Sequence, residues 1–119
     1  MGKAAVSMVV FGLYLSIMGI ILLIEPNFLL GLFGIPETDE VWIRVIGMLV
    51  LILAVYYIQT ARMDLTEFFW LSVYVRMFVI VFFTAFVMMG LVKPALILFG
   101  AVDMMGAAWT WWALKAEGK

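Results

Sequence analysis

The chain has 119 residues, of which 68% are hydrophobic and 13% charged, with a formal net charge of −1. Soluble domains are nearer half apolar and a quarter charged, so this composition excludes a soluble fold and leaves one membrane domain, residues 1–119. With no cysteine and no histidine, the chain has no disulfide, thiol chemistry, thiolate or imidazole metal site, or His/Cys haem ligation, and its net charge of −1 implies no basic face for nucleic acid.

The first apolar run covers about 4–24. It starts almost at Met1, after Lys3 alone. It is too long for a signal-peptide core and no small-residue cleavage site follows, so it reads as an uncleaved span. Gly12, Ser16 and Gly19 share a small-residue face, suited to close packing inside the protomer or to a dimer seam. The run stops at Glu25-Pro26, because a proline disfavours helix at the residue before it. Asn27 is placed to cap the apolar stretch Phe28–Ile35, which is too short to span and too apolar for water, and reads as a short interfacial helix. Pro36-Glu37-Thr38-Asp39-Glu40 is a solvated turn rather than an ion-binding loop.

The second span is expected over 41–61. Arg62 to Glu67 is a tight connection in which Asp64 and Glu67 have capping-box spacing for the next helix. The third span covers 67–89, with Gly90 as its stop. Pro94 opens the fourth, 94–114, and a polar tail follows. The fold expected is all-α: an antiparallel up-down bundle of four transmembrane helices with short links. Lys3, Arg62, Lys115 and Lys119 fall on one side of it, which places both termini in the cytoplasm of a cell whose inner membrane holds the protein. Trp109, Trp111, Trp112, Trp42, Tyr56 and Tyr57 suit aromatic belts near the span ends. Leu32-Phe33-Gly34 and Leu98-Phe99-Gly100 follow the two Pro turns as a faint echo between hairpins.

Two charges lie deep in these spans. Arg76 sits about 13 Å and Asp103 about 18 Å from the same face, at a rise of about 1.5 Å per residue. A charge at that depth costs about 2.5–3.5 kcal/mol on insertion scales, so the two are expected to pair or to share one polar pocket. Arg44 and Glu25, near the opposite face, form an expected upper polar layer. Arg44 aligns with Gly47, Leu51, Ala54 and Ile58; Asp103 aligns with Gly100 and Ala107. Such pairs either fix helix register or form a ligand site, and charges near helix ends also snorkel. No nucleophile–base pair is visible, since no histidine serves any Ser or Thr, and the ten Met and ten Phe read as core filling and lipid contact.

Arg44-Val45-Ile46-Gly47, Tyr74-Val75-Arg76 and Asp103-Met104-Met105-Gly106-Ala107 resemble the DoxX-like group of small prokaryotic four-helix membrane proteins. The resemblance spans the whole chain and implies a bundle with a polar interior. Some members of that group act as subunits or partners in membrane redox and stress complexes. The lack of cysteine and histidine argues against direct redox chemistry here.

The function expected is therefore non-enzymatic and without a cofactor. Arg76, Asp103, Arg44 and Glu25 would bind a lipid head group, a small anionic ligand or a partner membrane protein. The alternative is a small-solute or ion carrier, dimeric because four helices leave little room for alternating access, in which Arg76 holds an anion and Asp103 couples a proton.

Overall fold

The computed structural model covers residues 1–119 and contains helices and turns only. α1 (Lys3–Ile24), α3 (Trp42–Arg62), α4 (Thr66–Met88) and α5 (Ile97–Ala116, preceded by a 3-10 turn at Pro94–Leu96) are the long elements, and α2 (Pro26–Leu32) is a short helix between α1 and α3. Four helical segments are long and apolar enough to cross a membrane, which makes this a multi-pass membrane protein. Their bounds lie within two or three residues of those expected.

The helix ends share one chemistry. Ile35, Leu65, Leu91 and Lys119 each donate a backbone N–H to the carbonyl five residues back, at 2.9, 3.1, 3.0 and 2.9 Å. This closure needs a left-handed residue just before the donor. Gly34, Gly90 and Gly118 supply it, with φ of 68, 76 and 72°. At the α3–α4 turn Asp64 takes that conformation, with φ 51°. The expected capping box is therefore not formed: Asp64 belongs to the end of α3, and α4 has no side-chain cap. Asn27 does not cap α2 either. Its amide spans the loop to Thr38, accepting from the Thr38 N–H at 2.9 Å and donating to the Thr38 carbonyl at 3.3 Å.

Two hairpins build the bundle. α1 packs on α3, where Gly19 and Gly47 face each other so closely that a Cβ on either would lie 3.0 Å from the other's carbonyl oxygen. The small-residue face of α1 thus serves packing within the protomer. α4 packs on α5, where Gly100 lies against Ile80. The hairpins join mainly along α1 and α5, whereas α3 and α4 scarcely touch. The result is a flattened body of 45 × 29 × 17 Å.

The densest packing is in the half of the bundle nearer the termini. Ala4, Met8 and Phe11 of α1 meet Ala54 and Tyr57 of α3, Phe69 and Val73 of α4, and Ala107 and Leu114 of α5 in one buried cluster. At the end of that half, the Ala4 N–H donates to Glu117 Oε1 at 2.6 Å, and Lys119 Nζ lies 3.1 Å from Asp64 Oδ2. This clasp ties both termini to the α3–α4 turn. In the other half, toward α2, the hairpins leave an open-sided cavity between them instead.

Candidate functional site

Arg76 is 2% exposed and is held by all the elements around it. Its Nε donates to the Ser72 carbonyl at 3.2 Å, one turn back on α4. Its Nη2 donates to Ser72 Oγ at 3.1 Å and to Thr110 Oγ1 of α5 at 2.9 Å, with Met8 Sδ at 3.6 Å. The Phe11 and Tyr57 rings lie 4.7 and 5.4 Å from the guanidinium carbon, adding attraction to a desolvated cation.

The hydroxyls beyond Arg76 have a defined direction. Ser7 Oγ donates its one hydrogen to the Ala4 carbonyl at 2.6 Å. At the 2.8 Å contact between Ser7 and Thr110, Thr110 must therefore be the donor. A polar chain thus runs from Arg76 through Thr110 and Ser7 to the first turn of α1. Only Nη1 stays buried without a partner. It faces Gly106, where an added Cβ would lie 3.2 Å away.

The expected ion pair between Arg76 and Asp103 is not formed: the chain's salt bridges are those of Lys119 with Asp64 and Glu117. The reason lies in helix direction. Side chains lean toward the N-terminus of their own helix. α4 and α5 are antiparallel, so Arg76 folds back toward the termini while Asp103 leans the other way, toward α2.

Asp103 instead lines a cavity of about 340 Å³. Its walls are apolar, from Leu15, Met18 and Leu22 of α1, Ile46 and Val50 of α3, Phe83 of α4 and Phe99 of α5, with Leu29 and Leu30 of α2 across the end. Its two polar side chains are Asp103 and Tyr14, and neither hydrogen-bonds to any protein group. α3 and α4 meet near the termini, where the Tyr57 and Phe68 rings lie 5.7 Å apart, and scarcely touch elsewhere, so neither helix closes the cavity against the other.

The expected upper layer of Arg44 and Glu25 is also not formed as a pair. Both are exposed. Arg44 Nη1 donates to the Leu23 carbonyl near the C-terminus of α1, where a cation satisfies an end carbonyl and opposes the helix dipole. Glu25 makes no salt bridge. Of the four residues, then, Asp103 borders the cavity, Arg76 is buried behind Phe11 and Gly106, and Arg44 and Glu25 stand apart.

Sequence reasoning missed Thr110, Ser7 and Tyr14. Thr110 was within reach of it, two turns from Asp103 on the same helical face, as was Ser72, one turn from Arg76. Nowhere do three acidic, cysteine or histidine side chains converge in a way that would hold a metal ion.

No family model, curated protein or solved structure matches the chain.

Proposed function

We propose that this protein binds a membrane amphiphile, without enzymatic chemistry, in the cavity between its two hairpins. The apolar chain of the ligand lies against α1, α2 and α3, and its polar end sits at Asp103 and Tyr14. The observation that carries this reading is the Asp103 carboxylate, which has no protein partner and stands at the end of an otherwise apolar cavity. A pocket of about 300–1,000 Å³, apolar apart from a few convergent polar groups, is the usual form of a small-molecule site. Arg76 serves this site from behind, as the nearby positive charge that makes a deep carboxylate tolerable.

Both termini are proposed to face the cytoplasm, on the Lys/Arg bias of Lys3, Arg62, Lys115 and Lys119. Reporter fusions at the two termini and in the α2–α3 loop test that orientation.

The binding reading is tested by native mass spectrometry of protein extracted in lipid nanodiscs. The wild type is expected to retain an amphiphile that Asp103→Leu and the cavity-filling Val50→Phe both lose. Identical bound species in all three proteins, or none in the wild type, would sink it.

A further inference from the structure

We infer that the cavity selects an uncharged amphiphile headed by a hydroxyl group. The inference rests on the proposed cavity reading and adds the chemistry of the head group. Tyr14 and Asp103 border the same cavity, neither has a hydrogen-bond partner in the protein, and they do not bond to each other. A phenol offers one donor and an ionised carboxylate offers only acceptors. A ligand hydroxyl satisfies both at once, accepting from the Tyr14 O–H and donating to Asp103.

Charge balance argues for the same class. The deep charges are one cation and one anion, Arg76 and Asp103. A hydroxyl head leaves that balance intact. An ammonium head leaves one uncompensated positive charge at membrane depth, and a carboxylate head leaves one uncompensated negative charge, each disfavoured there. The one fully buried side-chain polar atom without a partner, Arg76 Nη1, lies behind the Phe11 ring and Gly106 and does not border the cavity. It acts on the head group by charge alone.

The test uses photoreactive hexadecanol, hexadecylamine and hexadecanoate with the full-length protein in nanodiscs. Saturable labelling of cavity residues is mapped by peptide mass spectrometry. Hexadecanol is expected to label at concentrations lower than either charged probe by about tenfold or more. Asp103→Asn keeps the shape but leaves Arg76 unbalanced, so the preference should shift to hexadecanoate. Tyr14→Phe should weaken hexadecanol severalfold, since it removes the donor to the ligand oxygen. Equal labelling by the three probes, a preference for a charged probe in the wild type, or an unchanged preference in Asp103→Asn overturns the head-group inference and leaves the cavity reading standing. Absence of saturable cavity labelling by any probe overturns both.

Discussion

Arg76 hydrogen-bonds Thr110 across the α4–α5 seam at 2.9 Å, while Asp103, two turns away on the same face of α5, has no protein partner. One deep charge is thus committed to holding helices together, and the other is available to a ligand. The two have different roles, and mutation separates them.

Arg76→Met removes hydrogen bonds from a charged donor to Ser72 and Thr110. Each such bond is worth about 1.5–3 kcal/mol, so the variant is expected to lose about 3 kcal/mol or more of stability. Asp103→Leu breaks no protein hydrogen bond but leaves Arg76 without a nearby anion, so it is expected to cost some stability, less than Arg76→Met, and to lose ligand. In a mutant cycle followed by thermal unfolding, Arg76→Met should cost clearly more than Asp103→Leu, because only Arg76 holds protein hydrogen bonds. Equal costs for the two single variants would show that they act as a structural pair.

Thr110→Val keeps the volume but breaks the polar chain at its centre. It leaves Ser7 without its donor and removes an acceptor from Arg76 Nη2. The expected cost is about 1–3 kcal/mol, read as a lower unfolding temperature. Ser7→Ala, at the end of the chain, should cost less.

Gly47→Ala tests the α1–α3 seam. The new methyl would lie 3.0 Å from the Gly19 carbonyl oxygen and 3.0 Å from the Leu23 nitrogen, and backbone atoms yield little. Overpacking of this kind costs about 1–3 kcal/mol. Gly31→Ala in α2 is the control: nothing lies within 4 Å of its added Cβ, and the change should be neutral or slightly stabilising. Equal unfolding temperatures for the two variants would contradict the close approach of α1 and α3.

The terminal clasp should depend on pH in one direction. The hydrogen bond to Asp64 holds the Lys119 ammonium above its ordinary value of 10.5. A group whose pKa is raised on folding contributes its full stabilisation below the unfolded value and loses it as pH rises through the folded value. Unfolding temperatures scanned from neutral to strongly alkaline pH should therefore fall off more steeply above about 10.5 in the wild type than in Lys119→Gln. The difference will be small, since both partners meet solvent. Parallel curves would mean that the clasp contributes nothing.

The sequence by itself determined the helices and their order. Four apolar runs of spanning length can satisfy their backbone groups in a bilayer only as helices, and Pro26, Gly90 and Pro94 mark where they break. It also picked out Arg76 and Asp103, because a charge in an apolar run stands out without any structure. What it left open was every relationship that depends on the direction of a helix or on competition between neighbours. Asp64 had the spacing of a cap but was taken up by the end of α3 and by Lys119. Arg44 and Glu25 shared a level, yet Arg44 found the Leu23 carbonyl. Arg76 and Asp103 lay at neighbouring depths, but antiparallel helices lean their side chains apart. The cavity was invisible for the same reason. It exists because α3 and α4 stay apart while α2 lies across the end, and that spacing is a property of the packed hairpins, which no single run of residues records.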